Sequence, residues 1–493
     1  MTVTTPATWA DPTAIGERIY SGGWIEAGGG LLDVIEPATG DLIAHVGSAS
    51  PEDVRRAAAR AAEAQREWAG TPFPHRAAVL SRAADLLRAH EADFGHWLRR
   101  EAGATALRVR MELGGSEAEL REGAASTSQA HGEFYPTLKA GERSYAYRVP
   151  RGVIGVISPW NAPLLLAMRS IAPALALGNA VVVKPDPHTP ISGGVLIAQL
   201  FEDAGLPTGL LHVVPGGVEA GEALVADPHI AMISFTGSTQ VGRLVGAAAG
   251  QALKPVNLEL GGNNAFIVLD DADVEAAASA GAWSTFFGAG QGCICAGRHL
   301  VAENLYDRYV ELVTEYARAL TVGDTLREES IRLGPLINQR QAGNVNRIVT
   351  SSVAAGARLT AGGEPRGCLF PATVLADVTP NMAIFEEETF GPVVGITSFR
   401  DDDEAVALAN QSEYGLTAAV HSRSTGRALA IAERLNTGMA HINDVTIKDG
   451  PTVPFGGTGA SGNGGRFGGS SNWDEFTEWR WFTVNDTTSR MEL

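Results

Sequence analysis

The sequence predicts an α/β protein with two parallel-sheet domains, and three observations predict it. Short apolar runs rich in β-branched residues recur at 152–157, 180–183, 211–214 and 231–235. Helical segments such as 193–204 separate them, the alternation that gives parallel strands with helices on both faces. A second alternation begins at 265–269 and includes a helix over 306–320, with Val310, Val313 and Ala317 along one face.

Upstream of the first run the chain reads as helical. Residues 1–20 are expected to form a loose arm. Ser50 is placed to cap a helix, with Pro51 at its first position and Asp53 in its first turn, and alanine-rich sequence carries it to Trp68. A second helix follows Pro74, because Val79, Ala83, Leu86 and Leu87 recur at helical spacing, and Gly103 is its expected stop. A third, more polar helix is expected over 111–125. Near the other end, the Gly-rich tract 456–469 is short and lies between Phe455 and Trp473, which suits a folded loop better than a linker.

Composition narrows the function. With 493 residues, 45% hydrophobic and 19% charged, the chain has the make-up of a soluble enzyme with a large core. A net charge of −18 argues against nucleic acid or an anionic membrane surface as partner. Three cysteines, Cys293, Cys295 and Cys368, cannot build a disulfide framework in so long a chain. Residues 1–15 lack a basic segment followed by an apolar run, and no stretch of about 18 uncharged apolar residues is present. The expectation is a cytoplasmic protein that keeps its thiols reduced.

Two stretches suggest chemistry. Cys293 ends the segment Phe286-Phe287-Gly288-Ala289-Gly290-Gln291-Gly292, whose small residues leave an open approach to a thiol and whose aromatic pair is placed to wall an apolar pocket. Glu259, 34 residues earlier in Leu258-Glu259-Leu260-Gly261-Gly262-Asn263-Asn264, is a carboxylate among apolar neighbours and therefore a candidate base. Cys295 competes with Cys293 for the nucleophile's role, and no His pair at ligand spacing supports a metal site. Gly457-Thr458-Gly459-Ala460-Ser461-Gly462 has the spacing of a dinucleotide fingerprint, but it neither follows a clear strand nor opens a helix.

Together these stretches resemble the aldehyde dehydrogenase superfamily. Its other motifs occur in order: Pro159-Trp160-Asn161, Lys184-Pro185, Phe235-Thr236-Gly237-Ser238, Glu388-Thr389-Phe390-Gly391-Pro392 and Pro454-Phe455-Gly456-Gly457. The tract after Gly456, with Leu166-Ala167-Met168-Arg169-Ser170, is similar to the benzaldehyde dehydrogenase branch. The resemblance implies a Rossmann-type cofactor domain (1–130 and 150–259), an α/β catalytic domain (260–468) and a small β oligomerisation arm (131–149 and 469–493) of a homodimer or homotetramer.

It also implies the roles of single residues. Cys293 attacks an aldehyde, Glu259 activates the water that hydrolyses the thioester, and Asn161 with the Cys293 amide holds the oxyanion. The presence of Glu259 points to the acid-forming type rather than one passing its acyl group to coenzyme A. Trp160, Lys184, Gly237, Ser238, Gly242, Glu388 and Phe390 are the cofactor residues. The cofactor expected is NAD, with NADP tolerated because Pro187 stands where NAD-selective members carry a Glu. Ala162 and Phe287 frame an aromatic slot. Arg169 either faces that channel, to stack on the ring or bind a phenolic hydroxyl, or makes a surface or interface ion pair. Two readings compete with aromatic aldehyde oxidation: an aliphatic or semialdehyde substrate, and a cofactor-independent thiol esterase. A non-catalytic protein of the same fold is a third, opposed by the presence of both Cys293 and Glu259.

Overall fold

The computed structural model describes residue 9, residues 16–129 and residues 131–488. Most of the arm expected over 1–20, the 1–15 stretch read for a signal peptide and the last residues of 469–493 lie outside the described residues. Arg18–Ser21, at the end of the expected arm, is instead a strand.

The first sheet has seven strands in the order Val256–Glu259, Ile230–Thr236, Val153–Ile157, Ala180–Lys184, Leu211–Val213, Arg18–Ser21 and Trp24–Glu26. The first five are parallel, and the last two add on antiparallel. The side chains of the five parallel strands are almost wholly buried, as a sheet covered on both faces requires. Pro51–Gly70 opens with a capping box: the Ser50 hydroxyl accepts from the Asp53 amide, and Asp53 accepts from the Ser50 amide at 2.8 Å.

The single helix expected between Pro74 and Gly103 is two, Phe73–Ala89 and Glu91–Ala102, because His90 leaves helical geometry (φ −112°, ψ 24°). The turn lets Phe94 and Leu98 reach the core while Gly103 closes the second helix in the left-handed conformation. The third helix starts earlier than expected, at Ala106 behind the Thr105 cap, and runs to Ser126. Its polarity is not turned to solvent: Arg108, Glu112 and Glu119 are among its buried residues.

The second sheet also has seven strands: Arg358–Ala361, Thr373–Ala376, Val393–Phe399, Arg298–Ala302, Ala265–Val268, Thr417–His421 and Met439–Ile442. Only the first of these runs antiparallel. A third sheet pairs Gly132–Tyr135, Arg143–Pro150 and Thr477–Val484, the last two in register from Thr477↔Pro150 to Val484↔Arg143. The chain rejoins the first lobe before residue 469, since Phe467 belongs to that lobe's core and the Asn463 side chain accepts from the Leu258 amide at 3.0 Å. No described helix is long and apolar enough to cross a membrane.

The connection between the sheets makes the site. Glu259 ends the last strand of the first sheet, and Ala265 begins the second. The loops after the first sheet's strands thus meet the loops that enter the second sheet at 265, 298 and 393.

Candidate active site

Four ends of the first sheet contribute. After Val153–Ile157 the chain turns through Pro159-Trp160-Asn161-Ala162 and starts the helix Pro163–Ala176, with Ala162 as its first cap position. Asn161 is buried and lines a cavity whose floor includes Cys293. After Ile230–Thr236 come Gly237 and Ser238, and the Ser238 side chain caps the helix Thr239–Gln251. Lys184 and Glu259 are the terminal residues of their own strands.

The loop carrying Cys293 is held by backbone and amide contacts. Gly288, Ala289 and Gly290 are successive left-handed residues, and a side chain at Gly290 would collide with the Gly391 carbonyl. Ala289 adopts this conformation despite its Cβ (φ 57°), at a cost of roughly 1–2 kcal/mol. Asn264 donates to the carbonyls of Cys293 (2.7 Å) and Cys295 (2.8 Å), while its oxygen accepts from Thr417. Gln291 bonds the Ile337 amide (2.9 Å) and the Pro335 carbonyl (3.2 Å). Asn264 thus ties the loop to the sheet it enters, and Gln291 ties it to the stretch ahead of the helix Gln339–Ala354.

The cavity holds about 530 Å³. Ala162, Leu165, Trp283, Phe287, Ile294 and Phe455 give it an apolar wall, and Phe287 stacks on Trp283 with ring centres 4.9 Å apart. Phe286, expected to share that wall, is instead packed in the second lobe's core, because it ends the helix Val274–Phe286 on its buried side. Arg169 lines the cavity, which agrees with the expectation that it faces the channel and not with a surface ion pair. It is buried rather than at a surface, and its guanidinium pairs with Asp449, lies 3.9 Å from Glu119 and stacks over Phe455 at 4.2 Å. Its charge is thus satisfied within the chain.

Electrostatics separate the candidate groups. Burial holds the Glu259 carboxyl well above the usual carboxylate range, with Arg169 and Arg466 opposing it. Neither of its oxygens has a hydrogen-bond partner among the described residues, and it is not part of the cavity wall. Burial likewise raises the Cys293 thiol, and Arg169 is the main group that opposes this. Cys295 is pushed up to about 12 by burial, and its Sγ points to the Phe287 carbonyl at 3.8 Å. Glu388 is raised to about 7 by burial, although one oxygen accepts from the Gly262 amide at 2.7 Å. A side chain at Gly261 would strike the Glu388 carboxylate, which explains the small residues after Glu259.

The chain matches the aldehyde dehydrogenase family over residues 24–482. It is 50% identical over 467 residues to the benzaldehyde dehydrogenase [NAD(+)] of Pseudomonas putida, covering 95% of this chain and 96% of that protein. It is 51% identical over 468 residues to the vanillin dehydrogenase of Amycolatopsis sp. (strain ATCC 39116 / 75iv2), again over 95% and 96%. The crystal structure of a salicylaldehyde dehydrogenase from Pseudomonas putida G7 complexed with salicylaldehyde superposes with a TM-score of 0.94 at 34% identity, over 97% and 99% of the two chains. The chain belongs to the aldehyde dehydrogenase family.

In this aldehyde dehydrogenase, several of the residues expected to meet the cofactor lie at the carboxyl ends of the first sheet's strands. The first sheet reverses its winding between Val153–Ile157 and Ile230–Thr236, and ligands of open α/β sheets bind at the carboxyl ends beside such a reversal. Asn161, Gly237 and Ser238 lie at those ends, and the helix after Ser238 offers unpaired N–H groups to an anion. Lys184 is buried, with only the Pro185 carbonyl as its bonded acceptor among the described residues (3.2 Å), and burial lowers its pKa. Trp160 meets the edge of Phe390 at 5.4 Å. A dinucleotide suits this donor set. Gly242 lies a turn into the same helix, where a Cβ would clash with Leu260, so close packing there requires a glycine. The rejected fingerprint, Gly457 to Gly462, lies beside Glu259 instead, and Ser461 accepts from the Leu260 amide at 2.9 Å.

Sequence reasoning missed Arg108, Glu112, Glu119, Asp449 and Trp283, all on the cavity wall. A signal was present for three of them. Arg108, Glu112 and Glu119 recur at helical spacing on one face beside the small Gly115; Glu112 and Glu119 fall in the helix expected over 111–125 and read simply as polar, and Arg108 lies just before it.

Proposed function

We propose that this aldehyde dehydrogenase oxidises an aromatic aldehyde, benzaldehyde or a hydroxylated or methoxylated relative, to its carboxylic acid with NAD. The observation that carries the proposal is the cavity itself, which is lined by Cys293 and Asn161 together with the apolar Trp283, Phe287, Leu165 and the small Ala162. An apolar, aromatic wall of this kind favours an aryl ring. The names of the relatives at about half identity agree with that choice of substrate and cofactor.

The residues divide the work. The Cys293 sulfur adds to the carbonyl carbon, its proton passing to a base, and the new oxyanion is held by the Asn161 amide and the Cys293 backbone N–H. When bound, NAD would supply the hydride acceptor that the oxidation of this adduct to a thioester requires. Glu259 then takes a proton from water, which attacks the thioester carbon, and the acid leaves as the thiol is restored. Lys184 and Glu388 would hold ribose hydroxyls, and Ser238 with its helix would receive the pyrophosphate. The aromatic residues exposed on the third sheet, Phe134, Trp479 and Trp481, support its role as the arm of a homodimer or homotetramer. A cytoplasmic setting fits a catalytic thiol that must stay reduced.

Reduced-cofactor absorbance across an aldehyde panel tests the substrate. Benzaldehyde or a hydroxy- or methoxy-benzaldehyde should have a much higher kcat/KM than acetaldehyde. Ala162→Phe should depress aromatic turnover far more than turnover of short aliphatic aldehydes. Preference for acetaldehyde, or equal losses in the variant, would remove the aromatic assignment.

A further inference from the structure

Two charged side chains on the cavity wall have no role in the chemistry above. Arg108 and Glu112 stand one turn apart on the helix Ala106–Ser126, and both face the cavity that contains Cys293. Arg108 is 6% exposed and Glu112 3%. Groups so buried are nearly always paired, yet Nη2 of Arg108 and Oε2 of Glu112 have no hydrogen-bond partner among the described residues. Arg169, on the same wall, shows the contrast, since Asp449 and Phe455 occupy its guanidinium.

The pair is fixed in place rather than loose. The other Glu112 oxygen accepts from the Leu164 amide at 2.9 Å, which ties the carboxylate to the start of the helix carrying Arg169. The Arg108 stem packs on the loop that carries Cys293, with its Cδ 3.5 Å from where a Cβ on Gly288 would lie. One donor and one acceptor are therefore held beside the cavity that contains Cys293, on a wall they share with Leu165, Trp283 and Phe287.

We infer that Arg108 and Glu112 form a subsite for a hydroxyl group on the ring of the aldehyde. The guanidinium donates to the hydroxyl oxygen, and the carboxylate accepts the hydroxyl proton. A hydroxyl is the substituent that satisfies both groups at once. A ring carboxylate would be repelled by Glu112, an amine cation by Arg108, and a methoxy group has no proton for Glu112. The inference rests on the aromatic-aldehyde reading and names, within that class, the substituent the enzyme recognises.

The test is the ratio of kcat/KM for 2-, 3- and 4-hydroxybenzaldehyde to that for benzaldehyde, in wild type, Arg108→Met, Arg108→Lys and Glu112→Gln. Glu112→Gln retains an oxygen for the Leu164 amide while replacing the free acceptor with a donor. For the preferred ring isomer, Arg108→Met and Glu112→Gln should each lower the ratio about tenfold, mainly through KM, as expected when a charged hydrogen bond to substrate is lost. Arg108→Lys should recover part of the loss. Ratios within twofold of wild type for all three isomers overturn the subsite, including the case in which every substrate slows together because the residues only support the fold. If Arg108→Met does not fold, Arg108→Lys and Glu112→Gln decide the matter by the same ratios. A wild-type enzyme that oxidises none of these aldehydes refutes the aromatic reading and the subsite with it. Normal benzaldehyde oxidation with unmoved ratios refutes the subsite alone.

Discussion

The two sides of Cys293 are built by different means. On the cavity side, side chains define the space: Trp283, Phe287, Leu165 and Ala162 shape it, and Asp449 restrains Arg169. On the side of the first sheet, strand ends, a helix N-terminus and two buried carboxylates define it, with Glu388 bonded to the Gly262 amide and Glu259 bonded to nothing among the described residues. The difference teaches where change is cheap. A wall of side chains is retuned by one substitution, whereas a crevice of backbone groups and strand ends is set by the fold.

The sharpest way to break the comparison is to remove the atom shared by both sides. Cys293→Ala should abolish dehydrogenase turnover, while Cys295→Ala should leave most of it, because Cys295 points to the Phe287 carbonyl. Equal turnover in wild type and Cys293→Ala would falsify the nucleophile.

Next in size is Glu259, whose lack of partners suits a group that must exchange protons with water. Glu259→Gln should give one burst of reduced cofactor and then a steady rate lower by ~10²–10⁴, the usual contribution of a positioned base. Burial raises this carboxyl, so its basic form appears only as pH climbs through that raised value. Thioester hydrolysis should accordingly rise with pH in wild type and be flat in the Gln variant. Absence of both the burst and a trapped acyl-enzyme would move Glu259 out of the hydrolytic step.

The smallest effect tests the crevice side. Pro187 offers no carboxylate, and Asp186 is turned to His188, accepting from its backbone amide at 2.9 Å and pairing with its ring at 2.7 Å. With no carboxylate free to repel a 2′-phosphate, NAD should be favoured over NADP only modestly, with measurable turnover on both. A preference for NADP above tenfold in kcat/KM would reverse that expectation.

What the sequence could say followed from what is local. The runs at 152–157 and 180–183 became strands within a residue or two, because β-branched runs between helical segments have few other ways to be buried. The Ser50, Pro51 and Asp53 cap was legible for the same reason: its partners lie three residues apart. The segments around Cys293 and Glu259 were legible because small residues must surround a reacting group.

Tertiary structure alone decided which polar residues face inward. Arg108, Glu112 and Glu119 follow helical spacing like any solvent-facing stripe, and only the packing of their helix against Pro163–Ala176 turns that stripe toward the cavity. Arg169 needed Asp449, 280 residues away, before its charge could be buried, and no window of sequence contains both. Phe286 and Phe287 are neighbours, yet one fills the core and the other the cavity wall, because the helix ends between them. Local propensity and motif spacing are properties of the chain, whereas the pairing of a buried charge depends on which distant residue the fold brings beside it.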